Sequence, residues 1–216
     1  MLALNSSGTL EQWGDENFAE SPGTVKSFPS LSNVSAIFSN KYAYVAKMSD
    51  NSVDVWGVKE YGGDNYIYYS GSRSGPSIDL SNISTVAFNQ YSFMAIKTDG
   101  SLVGWGLQEN GANVQNDLYT NQSVPSNTVF THLYASGTSY TARTNTNRVY
   151  HWGETIQSII SSGNPSQSNN YLDNVTDVKT TEQAFAALLS NGSVVVWGGI
   201  DSFQNYGQLP QYKNLS

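Results

Sequence analysis

Chemistry requires side chains that titrate, coordinate or attack, and this chain of 216 residues carries few at useful spacing. Its two histidines, His132 and His151, each lack a second histidine or a carboxylate at ligand distance along the chain. His132 alternates with apolar neighbours and His151 directly precedes a tryptophan, so both read as structural or exposed residues. There is no cysteine, which excludes disulfides, thiolate metal sites and cysteine nucleophiles. No Gly-x-Ser-x-Gly, phosphate-loop or dinucleotide fingerprint is present. Asp15, Glu16, Glu60, Asp64 and Glu109 fall in the loops after Trp-Gly, one or two per unit, whereas a glycosidase needs two acids flanking one cleft. They read first as solvated acidic loops, and alternatively as a weakly acidic rim that recognises a basic partner surface. The expectation is no enzyme, no metal and no cofactor.

Binding is better represented. The stretch Tyr61-Gly-Gly-Asp-Asn-Tyr-Ile-Tyr-Tyr-Ser-Gly-Ser-Arg-Ser-Gly75 sets four tyrosines among small polar residues. Rigid amphipathic rings beside adaptable neighbours are the composition of binding loops. Tyr61, Asp64, Tyr66, Tyr68 and Tyr69 are therefore the candidate contact residues. The competing reading places Tyr66, Tyr68 and Tyr69 in an outer strand that packs on an adjacent sheet. Lys plus Arg total 10 and Asp plus Glu total 17, so the net charge is −7 and phosphate backbones would be repelled. No nucleic-acid partner is expected. The N-terminus lacks the basic and apolar regions of a secretory signal, and no run approaches the roughly 20 apolar residues that span a bilayer. A soluble protein, intracellular by default and without membrane contact, is expected. Asn-x-Ser/Thr triplets at Asn33, Asn82, Asn121 and Asn174 recur about as often as these abundant residues predict.

The elements that would position such residues follow from a repeat. The tryptophans are Trp13, Trp56, Trp105, Trp152 and Trp197, each followed by glycine, at spacings of 43, 49, 47 and 45. The tenth residue before each is Ala3, Ala46, Ala95, Ala142 or Ala187. The fifth before each is Gly8, Asn51, Gly100, Asn147 or Gly192, the two residue types that enter the left-handed region most readily. Short β-branched or aromatic runs flank this position, which predicts a tight hairpin in every unit. The alanine predicts a crowded site and the tryptophan a side chain wedged between sheets. A further strand is expected upstream, at Asn33, Asn82, Thr128 and Asn174. A variable connector of about 20 residues, with one short outer strand, would join each Trp-Gly to the next such strand. This is the arithmetic of an all-β propeller blade of about 46 residues. The units run over 1–30 (partial), 31–79, 80–126, 127–171 and 172–216, in a single repeat domain.

The stretches Phe93-Met-Ala-Ile-Lys-Thr-Asp-Gly-Ser-Leu-Val-Gly-Trp-Gly106 and Phe185-Ala-Ala-Leu-Leu-Ser-Asn-Gly-Ser-Val-Val-Val-Trp-Gly198 resemble the repeat of the regulator of chromosome condensation (RCC1-like) family. A Gly-Gln-Leu stretch after Trp-Gly, frequent in that family, survives at Tyr206-Gly-Gln-Leu-Pro210 and is replaced by Tyr61-Gly-Gly-Asp64 and Asn110-Gly-Ala-Asn113. The resemblance implies a propeller and admits guanine-nucleotide exchange on a small GTPase as one activity. The count of five Trp-Gly units and the lack of a basic tail depart from the family's founding member. The first expectation is a non-catalytic scaffold for protein–protein interaction or self-assembly. A lectin-like propeller binding glycans is the alternative from another class.

In register, the chain holds four full units and an incomplete fifth, about eleven residues short at the junction of its two ends. Three explanations arise: a segment of a larger ring or array, an imperfectly closed ring, or a strand supplied by another copy at an unpaired edge. Strand exchange predicts a concentration-dependent dimer in sedimentation. A clean monomer at micromolar concentration overturns it.

Overall fold

A computed structural model describes residues 2–12, 25–26, 29–115, 124–153, 171–198, 200–201 and 204–205. Trp13, Asp15, Glu16, Asn121, the Tyr206–Pro210 stretch and the junction of the chain ends lie outside the described residues. The first sheet contains β1 (Leu2–Leu4) and β2 (Leu10–Gln12). The second contains β3 (Val25–Lys26), β4 (Val34–Ser39), β5 (Ala43–Met48) and β6 (Val53–Val58). The third is built from β7 (Ile67–Tyr69), β8 (Ser72–Ser74), β9 (Ile83–Phe88), β10 (Ser92–Lys97) and β11 (Leu102–Leu107). The fourth has β12 (Phe130–Ala135), β13 (Ser139–Thr144), β14 (Val149–Gly153) and β15 (Tyr171–Leu172). The fifth has β16 (Val175–Thr180), β17 (Ala184–Leu189) and β18 (Val194–Gly198), followed by the short pair β19 (Ile200–Asp201) and β20 (Gln204–Asn205). The opening strands β4, β9, β12 and β16 touch their successors, so they gather at the narrow inner end while the sheets splay outward as propeller blades.

The hairpin turn is the same in five copies. In the second sheet, Met48 N–H bonds to Ser52 C=O (2.9 Å) and Asn51 N–H to Met48 C=O (3.1 Å), which closes a three-residue loop with one left-handed residue. That residue is Gly8, Asn51, Gly100, Asn147 or Gly192, with φ of 77°, 65°, 85°, 62° and 85°. Its carbonyl then accepts the first N–H of the next sheet: Gly8 from Val34 (3.2 Å), Asn51 from Ile83 (2.8 Å), Gly100 from Phe130 (2.8 Å) and Asn147 from Val175 (2.9 Å). The turn therefore joins two blades as well as two strands.

The recurring Asn-x-Ser/Thr triplets acquire a backbone reason. Asn33, Asn82 and Asn174 open their strands at φ of 59°, 57° and 60°, a region that asparagine tolerates. Two residues on, the ladder register slips between Val34 and Ala36, and again between Val175 and Asp177. The bulged Ser35 and Thr176 hydroxyls donate across the strand to the carbonyls of Lys47 (2.9 Å) and Leu188 (3.1 Å).

The glycine after each described tryptophan answers a steric demand. Gly57, Gly106, Gly153 and Gly198 all have φ between 99° and 112°. A Cβ on Gly57 would lie 2.6 Å from Tyr42 O and 2.8 Å from Ala43 Cα, so no larger residue fits. The tryptophans are wedged against the preceding sheet. Trp105 packs with Val45 and Val55, Trp152 with Met94 and Ile96, and Trp197 with Val149 and Leu172. Tyr44, Phe93 and Phe185 stack on Trp56, Trp105 and Trp197 at 5.4–5.5 Å between ring centroids. Ala46, Ala95, Ala142 and Ala187 have no exposed surface, as a crowded site requires.

In the fourth sheet Tyr140 stands at the stacking position, and its hydroxyl crosses to the third sheet. It donates to Ser92 O (2.6 Å) and accepts from Asn89 N–H (3.0 Å), and burial pushes the phenol pKa up. His151 is also buried between sheets. Its Nδ1 lies 3.2 Å from Trp197 Nε1 and 2.9 Å from Thr141 Oγ1. Indole nitrogen can only donate, so Nδ1 accepts and the neutral ring carries its proton on Nε2. Burial pushes the His151 pKa down to about 3. The unfolded chain takes up this proton near pH 6.5 and the folded one does not. The stabilisation is complete above pH 6.5 and declines by up to about 1.4 kcal/mol per pH unit toward pH 3. Thermal unfolding of His151→Gln, which keeps an acceptor without titrating, should show a shallower loss of Tm between pH 7 and 4 than the parent chain.

Candidate functional site

The tyrosine-rich connector starts from Gly57 and makes one turn of 3-10 helix, Lys59–Tyr61, ended by Gly62 at φ 99°. Gly62 N–H bonds Lys59 O, and a Cβ there would lie 2.5 Å from the Phe93 ring, so the turn is pressed against the third sheet. Beyond it the chain forms not one outer strand but two. β7 and β8 are a hairpin turning at Ser70 (φ 48°) and Gly71 (φ 76°), the two left-handed residues of a type I′ turn. β7 runs parallel to β11, pairing Ile67 with Gly106 and Tyr68 with Leu107. The connector that leaves the second sheet thus becomes the outer edge of the third. Sequence alternation suggested an outer strand here, but a second strand needed the Ser70–Gly71 turn to be recognised.

The structure does not bring the five candidate residues to one surface. Asp64 and Tyr68 are turned inward, each only 6% exposed. Asp64 Oδ2 accepts from Tyr68 Oη (2.8 Å) and Arg73 Nη2 (2.7 Å), and Arg73 Nε donates to Tyr68 Oη (3.1 Å). The Arg73 guanidinium lies 4.0 Å from the centroid of the Tyr66 ring. Desolvation pushes the Tyr68 pKa up, and the hydrogen bonds to Tyr68 and Asp64 hold Arg73 above its usual range. This network braces the hairpin. Tyr69, beside the turn, is 49% exposed.

Tyr61 belongs to a different group, composed of Tyr42, Tyr61 and Tyr91. Ring centroids are 4.6 Å apart for Tyr42–Tyr61, 5.5 Å for Tyr61–Tyr91 and 5.8 Å for Tyr42–Tyr91. All three rings are half-buried. Tyr42 and Tyr91 stand in the turns between the first two strands of successive blades, each fourteen residues before its tryptophan. Both turns are locked by an asparagine. Asn40 Oδ1 accepts from the N–H of Tyr42 (2.8 Å) and Ala43 (2.7 Å), while its Nδ2 donates to Tyr61 O (2.8 Å). Asn89 likewise accepts from Tyr91 (3.0 Å) and Ser92 (2.9 Å) and donates to Asn110 O (2.7 Å). Neighbouring turns continue this face, since Gln90 N–H bonds Gly137 O (3.1 Å). Sequence reasoning missed Tyr42 and Tyr91 because the other aligned residues, Thr138 and Gln183, are not aromatic.

The remaining titratable groups offer little chemistry. His132 is exposed, stacks on Tyr134 at 6.3 Å and receives Arg143 Nη2. Arg143 also reaches Thr176 O on the next sheet, which ties blades together. Among the described residues, no three His, Asp or Glu side chains gather as a metal site, and no helix is long and apolar enough to cross a membrane. Replacing Asp64 by Ala should leave Tyr68 and Arg73 without their acceptor and cost about 1–3 kcal/mol in denaturant unfolding. Tyr69→Ser should stay within about 0.5 kcal/mol of the parent.

No family model and no curated protein matches this chain. Its fold is similar to that of yeast RCC1 (Prp20) in a complex with Kap60, with TM-score 0.58 and 18% identity, over 91% of this chain and 53% of that one. A second structure of Prp20p from Saccharomyces cerevisiae, described with its binding to Gsp1p and histones, gives TM-score 0.57 and 17% identity, over 91% of this chain and 55% of that one. The ectodomain of the Physcomitrella patens receptor kinase CR4 gives 0.52 and 15%, over 91% and 49%. The chain spans about half the length of these structures. At such identities the likeness is one of fold, and the fold is an RCC1-like β-propeller.

Proposed function

We propose that this chain is a non-catalytic RCC1-like scaffold that binds a protein partner through its strand turns and connectors. The Tyr42–Tyr61–Tyr91 cluster is the observation that carries this reading. Three half-buried rings from three separate loops pack within 4.6–5.8 Å of one another, on turns fixed by the Asn40 and Asn89 side chains, so less side-chain entropy remains to be lost on binding. Tyrosine supplies large contact area with a polar tip, the combination enriched at protein interfaces. Tyr66 and Tyr69 extend the contact set along the β7–β8 hairpin, with Asp64 and Tyr68 holding that hairpin in place. The yeast RCC1 structure, seen with Kap60 bound, supports a protein as the kind of partner such a propeller carries.

The test compares the parent with Tyr42→Ser/Tyr61→Ser/Tyr91→Ser as immobilised bait in an extract of the source organism. Proteins retained by the parent should fall at least tenfold with the variant, at an unchanged Tm. A sharp drop in Tm would mark the cluster as core. Equal retention by both, or saturable binding on a glycan array, would replace the protein-binding reading.

A further inference from the structure

We infer that the Tyr42–Tyr61–Tyr91 cluster receives an acidic peptide segment, with Lys41 as the cation that meets its carboxylate. The inference rests on the protein-binding reading above and adds the chemistry of the partner. Lys41 is exposed and stands at the centre of the turn that carries Tyr42. Its Nζ lies 5.1 Å from the centroid of the Tyr42 ring, so the ammonium sits beside the stacked Tyr42–Tyr91 pair. A hydrogen bond with the Tyr42 hydroxyl, and more weakly the nearness of Tyr91, push the Lys41 pKa up and hold the charge at the cluster. An ammonium can only donate, and a phenol oxygen that accepts from it keeps its own proton for an outside acceptor. Ammonium and phenol thus present donors side by side, a pattern that a carboxylate completes with charge-assisted hydrogen bonds.

The other described cations are engaged within the chain. Arg73, Lys97, Arg148 and Lys179 are ion-paired with Asp64, Asp79, Asp173 and Asp177. Lys47 donates to Asn51 Oδ1 (2.7 Å), and Arg143 to Thr176 O. Among the described residues no carboxylate lies within ion-pair distance of Lys41, nor of Lys59, which opens the 3-10 turn that ends in Tyr61. The position of Lys41, fifteen residues before its tryptophan, is held by Gln90, Gly137 and Glu182 in the following blades. The acid of this set is occupied on the far side: Gln90 Nε2 lies 3.5 Å from Glu182 Oε1, across Gly137. The chain's net charge of −7 favours a basic partner at long range, but physiological salt confines such fields to about 8 Å. The two turns and the connector that carry the tyrosines contribute Lys41 and Lys59 against Glu60, one net positive charge. A segment that lays apolar or aromatic side chains on the three rings would therefore gain by placing an Asp or Glu at Lys41.

The probe is a phage-displayed library of random twelve-residue peptides, selected on the immobilised full chain. Peptides whose binding is lost with Tyr42→Ser/Tyr61→Ser/Tyr91→Ser are the cluster's ligands, and they should carry more Asp and Glu than the unselected library. Synthesised with a fluorescent label and read by anisotropy, the tightest of them should weaken about threefold on Lys41→Gln and about tenfold on Lys41→Glu, both at an unchanged Tm because Lys41 is exposed. A fresh selection on Lys41→Glu should enrich Lys and Arg instead. Cluster-dependent peptides without acidic enrichment, or acidic ones that bind Lys41→Glu as tightly as the parent, overturn the inference and leave the protein-binding reading standing. Recovery of no cluster-dependent peptide overturns both. Should the triple variant fail to fold, the two selections decide: pools of the same charge from the parent and from Lys41→Glu overturn the inference.

Discussion

The architecture rests on one hydrogen bond made repeatedly: the carbonyl of a left-handed turn residue accepting the first N–H of the next blade. It couples the shape of a hairpin to the placement of its neighbour. A residue with φ near +60° to +85° aims that carbonyl outward, and glycine and asparagine reach this region at least cost. With a β-branched residue there, both the hairpin and the inter-blade bond would carry strain. The tryptophan ladder then fills the space that this bond sets. Each described ring lies on the preceding sheet, and the glycine after it is required because a Cβ there would come within 3 Å of the turn beside it. Truncating one such buried ring is of the class that costs about 3–5 kcal/mol.

The same bond constrains the surfaces available for function. The turns at the opposite strand ends tie blades as well, Gln90 N–H to Gly137 O at 3.1 Å, yet their side chains differ from blade to blade. Tyr42 and Tyr91 occupy that face in adjacent blades, and their asparagine locks bring the connector tyrosine, Tyr61, into contact with both. The outer lanes vary in another way. The second blade takes β3 beside Gly57 and Val58, the third takes a whole hairpin, and the fourth takes β15. The last two follow from local side chains: a type I′ turn at Ser70–Gly71 in the third blade, and a tyrosine pair with an arginine bridge in the fourth.

Polar residues between blades show how departures from the repeat are absorbed. Where three units place Tyr44, Phe93 or Phe185 over the tryptophan, the fourth has Tyr140, whose hydroxyl is satisfied only because Ser92 and Asn89 lie on the adjacent blade. His151 occupies a position held by Val55, Gly104 and Val196 in the neighbouring units, and the Trp197 indole N–H compensates its burial. A buried imidazole that stays neutral is stable at neutral pH and becomes a liability in acid.

Much of this was legible along the chain. Five Trp-Gly pairs, the alanine ten residues earlier and the Gly or Asn five residues earlier specified strands, hairpins and the wedge, because each column reports a short-range demand: a left-handed φ, a crowded Cβ, a ring to be buried. The Asn-x-Ser/Thr triplets, by contrast, looked like chance until the bulge explained them. Tertiary structure alone decided the rest, since it depends on which residues far apart in sequence become neighbours. It turned Asp64 and Tyr68 inward as a brace, left Tyr69 exposed, gathered Tyr42, Tyr61 and Tyr91 from three loops, and closed the outer lane of the fourth blade with Tyr150 and Tyr171. A repeat encodes its own geometry locally. The contacts that make one copy differ from the next arise only when the copies are packed side by side.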